Sequence, residues 1–170
     1  MTPDLFWIAG PWPGRLAISS RHEVATGLRT EVSGWRNSGL DTVVSLLEPD
    51  EAGQLGLNEE RALALSNGLK FVAFPIPDRS VPASNEAALK LLETVRAELE
   101  AGRNVGIHCR QGVGRSGMIA AAALTASGLD LHDAIERVSK ARGIAVPETA
   151  DQLEWLQGLV ARYIAASQPA

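Results

Sequence analysis

The chain has 170 residues, of which 45% are hydrophobic and 21% are charged, so it is long enough to bury one sizeable core. Its net charge of −4, without a block of like charges, argues against a nucleic acid or a membrane surface as partner. We therefore expect a single domain over residues 1–170 that acts as a monomer.

Short apolar runs alternate along the chain with longer amphipathic segments, a pattern typical of an α/β fold. The predicted strands cover residues 5–9, 15–18, 42–46, 69–74 and 104–108. We expect the first two to pair as a hairpin. The predicted helices begin near Thr30 and Leu57, at Ser84 and Ser116, near Leu131 and at Thr149.

The helix after Ser84 joins two predicted strands, and Gly102 is placed to end it. A crossover of this length returns the chain in the same direction, so we expect strands 69–74 and 104–108 to pair in parallel. The predicted fold is thus a mostly parallel central sheet of about four to five strands flanked by helices. Ligands of such sheets bind at the carboxyl ends of the strands.

The segment HCRQGVGRSG, residues 108–117, lies at such a strand end and contains the only cysteine of the chain. A glycine-rich turn followed by a helix N-terminus gathers backbone N–H groups into a cradle for an anion such as phosphate. The predicted phosphate-binding residues are Arg110, Gln111, Gly112, Val113, Gly114 and Arg115. Arg115 adds a two-pronged hydrogen-bond donor, and the same positive surroundings favour the thiolate form of Cys109.

This segment resembles the His-Cys-x5-Arg-Ser/Thr signature of the cysteine-dependent protein phosphatases, in the small dual-specificity branch that includes kinase-associated phosphatase. The resemblance spans about residues 40–160. It implies Cys109 as nucleophile, Arg115 as phosphate clamp and Ser116 as the hydroxyl beside the sulfur. FPIPDRSVP resembles the general-acid loop and implies Asp78 as the acid, while AVPETADQ implies Gln152 as the residue that positions water.

These roles predict hydrolysis of a phosphomonoester through a phosphocysteine intermediate. His108 is expected to hold the loop through ring hydrogen bonds that also tune the thiol. The uncharged Gln111 and Val113 favour phosphotyrosine or another aryl phosphate over an inositol phosphate, although Arg79 and Arg110 can supply extra cations. Phosphoserine and phosphothreonine stay open as substrates.

Several of these residues have simpler interpretations. Gln152 follows Thr149 by three residues, which is also the pattern of a helix capping box. His108 is equally well explained as a core histidine, and Ser116 as a helix cap. Glu48 and Glu51 are candidates to orient Arg115, but a solvated acidic loop explains both residues as well.

The same segment also matches a sequence pattern of a different functional class. Gly112-x-Gly114-x-x-Gly117 matches the dinucleotide-binding pattern, with Asp130 or Asp133 near the position of a ribose-binding acid. Residues 131–138 have helical rather than strand spacing, which argues against an NAD(P)-dependent oxidoreductase. A phosphate-binding module with weak catalysis and a thiosulfate transferase are the remaining alternatives.

Metal and cofactor chemistry are not indicated. A single cysteine cannot form an internal disulfide, and His22, His108 and His132 lack the spacing of zinc ligands. The sequence has neither a long apolar run nor a basic, apolar leader at its start. We expect no cofactor, no metal and a cytoplasmic location.

Overall fold

The central sheet has five strands in the computed structural model, which describes residues 4–20 and 27–164. The strands are β1 (Leu5–Ile8), β2 (Leu16–Ser19), β3 (Thr42–Ser45), β4 (Lys70–Ala73) and β5 (Val105–His108). Their order across the sheet is β1-β2-β5-β3-β4. β1 is antiparallel to β2, and the other neighbours are parallel. The carboxyl ends of β2 to β5 therefore lie along one edge of the sheet.

Seven α-helices connect and cover these strands within the described residues. They are α1 (Leu28–Asn37), α2 (Pro49–Gln54), α3 (Glu60–Ser66), α4 (Asn85–Glu100), α5 (Gly114–Ala126), α6 (Leu131–Arg142) and α7 (Ala150–Leu159). The last helix continues into a π-helical turn, Val160–Ile164. None of the helices in this part of the chain is long and apolar enough to cross a membrane.

Alternating residues of the strands divide the core into two parts on opposite faces of the sheet. On one face, Val43 packs with Val32 and Trp35 of α1 and with residues of α3. On the other face, Val44 and Ile107 belong to the larger core with α4 to α7. α5 is buried along almost its whole length, which explains why its sequence is apolar nearly all round.

The predicted fold class is confirmed, and the hairpin of the first two strands is present. Two caps also lie where the sequence predicts them: Ser84 Oγ accepts the Ala87 N–H at 3.1 Å, and Thr149 Oγ1 accepts the Gln152 N–H at 3.1 Å. Strand boundaries differ from the predicted ones by about one residue. His22 lies outside the described residues.

Two details of the prediction are wrong, and the structure decides one question that the sequence left open. Strands β4 and β5 are parallel but do not pair with each other, because β3 lies between them. The acidic segment after β3 forms the short helix α2 rather than a loop, since Pro49 occupies its first turn and Glu48 and Glu51 form a capping box. Helix α5 begins at Gly114 and not at Ser116, so Ser116 lies inside the first turn.

The structure also bears on the dinucleotide-binding alternative. Asp130 caps α6 by accepting the His132 N–H at 3.0 Å, and Asp133 lies in the first turn of the same helix. A ribose-binding acid of that fold would end a second strand. Residues 131–142 are instead helical, so the glycine pattern at 112–117 lacks the rest of a dinucleotide site.

Candidate active site

The candidate site lies where β5 passes into α5, at the carboxyl edge of the sheet. Cys109 directly follows β5, and the loop after it ends at Gly114, where α5 begins. A pocket of about 230 Å³ opens at this point. Its lining residues are Asp78, Arg79, Cys109, Arg110, Gln111, Gly114, Arg115 and Glu148. The pocket thus brings together residues from three separate segments of the chain.

The loop after Cys109 has the compact form expected of an anion cradle. Cys109 is 2% exposed, and its Sγ accepts the backbone N–H of Gly112 at 3.3 Å. Gly112 has φ of 71°, a left-handed conformation that glycine adopts without strain. Val113 is the residue before the first turn of α5, so the helix N-terminus is directed at the loop.

Arg142, at the end of α6, supports this loop from outside. Its Nη2 donates to the Gln111 carbonyl at 2.9 Å, and its Nε donates to the Gly112 carbonyl at 3.1 Å. The guanidinium carbon also lies 4.2 Å from the ring centroid of Phe6. Two carbonyls of the loop are thereby satisfied by a residue that the sequence analysis missed, because nothing in the local pattern links residue 142 to residue 111.

Arg115 is buried in the first turn of α5 and makes four hydrogen bonds. Its Nη1 donates to Glu51 Oε1 at 2.6 Å and to the Ile76 carbonyl at 2.9 Å. Its Nη2 donates to Glu51 Oε2 at 3.0 Å and to Asp78 Oδ1 at 3.2 Å. The helix α2 therefore positions Glu51 as the partner of Arg115, and of the two acidic candidates it is Glu51 that makes this contact.

The charges of Glu51 and Arg115 stabilise each other. Burial acts to raise the pKa of Glu51, but the hydrogen bonds and positive charge of Arg115 outweigh it and hold this pKa below its usual value. Burial likewise acts to lower the pKa of Arg115, and the hydrogen bond to Glu51 and the charges of Cys109, Glu51 and Asp78 raise it above its usual value. Both groups therefore stay ionised at neutral pH.

Asp78 lines the same pocket as the loop after β5. Its side chain is 54% exposed, and its carboxylate contacts Arg115. The next residue, Arg79, has φ of 61°, and its Nη1 donates to Glu148 Oε1 at 2.7 Å. This ion pair connects the Asp78 loop to the segment before α7.

The Gln152 side chain is fully buried and serves as part of the helix cap. Its Oε1 accepts the N–H groups of Glu148 and Thr149 at 3.1 and 3.2 Å, and its Nε2 donates to the Ser80 carbonyl at 3.0 Å. A Cβ at Gly114 would lie 3.0 Å from Gln152 Oε1. The capping interpretation thus describes the observed contacts, and Gln152 still packs against the start of α5.

His108 and Ser116 are both buried. His108 directly precedes Cys109 in the sequence, and Ser116 lies in the first turn of α5. His108 Nε2 lies 2.5 Å from Glu60 Oε1, a partner that the sequence analysis did not foresee. In the part of the chain that the structure describes, His108 Nδ1 and Ser116 Oγ have no hydrogen-bond partner. Ser116 therefore does not act as a cap there.

Comparison with known proteins points to one family. Residues 20–129 match the family model described as "Tc-R-P: Polymorphic toxin system, DSP-PTPase phosphatase". No curated protein gives a match. The resemblance that the segment 108–117 carries is thereby confirmed at the level of the family.

Solved structures agree with this assignment. Kinase-associated phosphatase (KAP), solved with its catalytic-site cysteine replaced by serine, has a TM-score of 0.88 and 17% identity, with 99% of each chain covered. PTPMT1 in complex with PI(5)P has a TM-score of 0.74 and 18% identity, with 95% of this chain and 99% of that chain covered. At these identities the similarity concerns the fold.

A nearer relative is Tk-PTP in its active form, which has a TM-score of 0.77 and 32% identity. The alignment covers 95% of this chain and 99% of Tk-PTP. With the family model matching well over half of the chain as well, the protein belongs to the DSP-PTPase phosphatase family and is a hydrolase of the protein tyrosine and dual-specificity phosphatase class.

Proposed function

We propose that the protein hydrolyses phosphotyrosine and related aryl phosphate monoesters through a phosphocysteine intermediate. The observation that carries this proposal is the convergence of Cys109, Arg115 and Asp78 on one pocket of about 230 Å³. A nucleophile, a cation and a carboxylic acid are the three groups that metal-free phosphoryl transfer to a thiolate requires.

In the first step the Cys109 thiolate attacks phosphorus, and the bond from phosphorus to the leaving oxygen breaks. Asp78 donates its proton to that oxygen, and Arg115 and the loop N–H groups neutralise the charge on the phosphoryl oxygens. In the second step water attacks the phosphocysteine, and the Asp78 carboxylate accepts a proton from it. Inorganic phosphate leaves, and the thiolate is restored.

The contact between Asp78 and Arg115 links substrate binding to proton donation by Asp78. Glu51 and the Ile76 carbonyl occupy Nη1 of Arg115, while Asp78 shares Nη2 with Glu51. A phosphate oxygen that accepts from Nη2 competes with Asp78 for this nitrogen. Substrate binding therefore releases the carboxyl group toward the leaving oxygen.

The surroundings of the pocket support a monophosphate substrate. Arg79 lines the pocket, but its charge is paired with Glu148 at 2.7 Å, which leaves Arg110 as the other rim cation in the lining. A phosphoinositide such as the PI(5)P bound by PTPMT1 would call for more free cations beside the cradle. Phosphotyrosine, with one phosphate on an apolar ring, makes no such demand.

The first test is Cys109→Ser. We expect it to abolish turnover of p-nitrophenyl phosphate and phosphotyrosine peptide, because a hydroxyl is a far weaker nucleophile at neutral pH. Phosphate affinity, measured by calorimetry, should remain because the loop amides and Arg115 are unchanged. The parent enzyme, quenched in acid during turnover, should carry a phosphate on Cys109. Retention of a tenth of the activity by Cys109→Ser would refute the thiolate mechanism.

The Asp78→Asn variant tests the proton donor separately. Acid catalysis is worth roughly 10²–10⁴ in rate and matters most for a leaving group that departs poorly as an anion. We expect a much larger loss on phosphotyrosine peptide than on p-nitrophenyl phosphate. An equal loss on both substrates would mean that Asp78 is only a turn residue. Phosphoinositide assayed beside the peptide decides between the two substrate classes.

A further inference from the structure

We infer that Glu148 determines substrate specificity: by pairing with Arg79 it closes a second anion subsite beside the phosphate-binding loop and so restricts the pocket to substrates with a single phosphate group. This inference rests on the function proposed above and assigns the choice of substrate to one residue. Arg79 and Glu148 line the same pocket as Cys109. Arg79 Nη1 donates to Glu148 Oε1 at 2.7 Å, although the two residues are 69 positions apart in the sequence.

Glu148 brings a negative charge to a pocket that is proposed to hold a phosphate. Its side chain is 29% exposed, and a Cβ built at Gly114 would lie 2.9 Å from its Oε2. Gly114 is the residue at which the loop ends and α5 begins. A carboxylate so close to the loop repels a bound phosphate, because like charges in a partly buried site are weakly screened. The positive charge of Arg79 offsets this repulsion.

Arg79 is suited to bind a second anionic group. It directly follows Asp78, the proposed proton donor, and its side chain is 62% exposed. A guanidinium can give a phosphate two parallel hydrogen bonds. A second phosphate that bound Arg79 would, however, leave the Glu148 carboxylate without its cation and would face it as a like charge. The ion pair therefore selects against doubly phosphorylated substrates by repulsion.

The charge of Glu148 can be separated from its place in the structure. The loop that contains Asp78 is also held by Gln152, whose Nε2 donates to the Ser80 carbonyl at 3.0 Å. This hydrogen bond does not depend on the ion pair. The substitution Glu148→Gln keeps an oxygen that can accept from Arg79 and removes the negative charge. It therefore frees the charge of Arg79 while the loop stays in place.

The test compares kcat/KM for a soluble inositol bisphosphate with kcat/KM for p-nitrophenyl phosphate. For Glu148→Gln we expect the ratio of the two to rise by about five- to tenfold in favour of the bisphosphate, the size of one added charge-assisted contact. The control is Glu154→Gln, which removes an exposed carboxylate of α7 and changes the net charge equally. It should keep the parent ratio. An unchanged ratio in Glu148→Gln would overturn the inference.

A double variant shows whether the gain comes from Arg79. Arg79→Asn removes the cation, and asparagine accommodates the φ of 61° at this position better than most residues do. In the Arg79→Asn/Glu148→Gln double variant we expect the parent ratio to return. A raised ratio that persists in the double variant would refute the assignment of the subsite to Arg79.

Binding measurements separate this inference from the proposed catalytic function. In the Cys109→Ser background, calorimetry with inositol bisphosphate and with inorganic phosphate should show the same change for Glu148→Gln, about five- to tenfold. Activity in Cys109→Ser would refute the proposed function, whereas these affinities would still test Glu148. Should Glu148→Gln not fold, Arg79→Asn alone leaves the carboxylate unpaired, so its affinity for inorganic phosphate should fall. Parent-like affinity in Arg79→Asn would contradict the inference.

Discussion

Arg115 has little freedom left in this site. A guanidinium has five N–H donors, and four of them are engaged by Glu51, Asp78 and the Ile76 carbonyl. In the proposed mechanism, two donors remain for substrate: the Nε–H group and the Nη2–H group that Asp78 releases. Because Glu51 binds both terminal nitrogens, it sets the plane of the guanidinium and so the direction in which those donors point. In the proposed mechanism, phosphate alignment therefore depends on Glu51.

The substitution Glu51→Gln tests this dependence. An amide cannot accept two hydrogen bonds from the guanidinium through charged oxygens, so Arg115 loses its fixed orientation. We expect kcat/KM for phosphotyrosine peptide to fall by about 10- to 100-fold, since small misplacements of a binding group cost that much. The control is Asp50→Asn, an exposed residue of the same helix, which should match the parent. Parent-like kinetics for Glu51→Gln would show that Arg115 needs no such partner.

The pH dependence of this pair follows from the lowered pKa of Glu51. A carboxyl group whose pKa is lower in the folded state contributes stability above its ordinary pKa, and that contribution is lost as the pH falls through the lowered value. The pair is therefore intact across an assay range of about pH 5 to 8. Changes in activity within that range should come from other groups.

At the residue scale the sequence was informative where the signal is contiguous. Cys109 and Arg115 are six positions apart in one segment, and Asp78 lies in a recognisable proline-rich segment, residues 74–82. Glu51, Glu60 and Arg142 are ordinary charged residues in ordinary helices, and their partners lie 64, 48 and 31 positions away. Only the packing of α2, α3 and α6 brings them to the site, so the sequence marks Glu51 as no more than one of two acidic candidates for Arg115 and does not mark Glu60 or Arg142.

Helix α7 and the segment before it contact both the loop that contains Asp78 and the start of α5. Gln152 donates to the Ser80 carbonyl in the Asp78 loop and accepts two N–H groups before α7. The neighbouring Glu148 binds Arg79, and a Cβ at Gly114 would lie 2.9 Å from its carboxylate. The segment before α7 thus acts as a clamp between Asp78 and the start of α5.

Two substitutions at Gln152 separate capping from a role in catalysis. Gln152→Ala removes the cap and leaves the part-buried N–H groups of Glu148 and Thr149 without their acceptor, so we expect a loss of about 1–2 kcal/mol in the free energy of unfolding. Gln152→Glu keeps an acceptor for the cap and should lose less. Urea denaturation followed by tryptophan fluorescence measures both.

The catalytic role that the resemblance implies has its own signature. If Gln152 positions water, its loss slows the second step, and phosphocysteine accumulates during turnover of p-nitrophenyl phosphate. From the observed hydrogen bonds we expect no such accumulation in Gln152→Glu. A large burst of p-nitrophenol in that variant would instead assign Gln152 to the hydrolytic step.

The arrangement of elements was harder to predict than their existence. The length of the crossover at α4 gives the direction of β5 but not its neighbour, which depends on the face that each helix covers. β3 is buried at every position, whereas the first and last residues of β4 are exposed. That difference, with Lys70 starting β4, is the pattern of an interior strand beside an edge strand. It marks β4 as an edge strand, whereas the position of β5 on the other side of β3 follows only from the packing of the structure.

In the whole molecule, the two ends of the parallel strands carry different groups of residues. The candidate site occupies the carboxyl ends of the parallel strands, while Glu98 of α4 ties together the opposite ends. Its carboxylate accepts from Thr42 at the start of β3, from Lys70 at the start of β4 and from Arg103 before β5, at 2.7–2.9 Å. Stability and activity should therefore respond to different residues.

Acid unfolding tests this separation. The hydrogen bonds from Arg103, followed by those from Lys70 and Thr42, lower the pKa of Glu98 from 4.5 to about 2 against the opposing effect of burial. Since the folded-state pKa is the lower one, the stabilisation is complete above about pH 5 and disappears as the pH falls toward about 2. With Lys70 and Arg103 partly exposed, we take its size as about 1–3 kcal/mol.

Glu98→Gln should therefore unfold at lower urea concentration than the parent at pH 7, and the difference should shrink steadily between about pH 5 and pH 2. The control Glu100→Gln changes an exposed carboxylate at the end of the same helix, paired with Arg96, and should alter stability little at any pH. Because Glu98 lies at the edge away from Cys109, kcat of the folded Glu98→Gln variant should equal that of the parent. A stability difference that stays constant from pH 7 to pH 2 would mean that Glu98 acts through packing rather than through its charge.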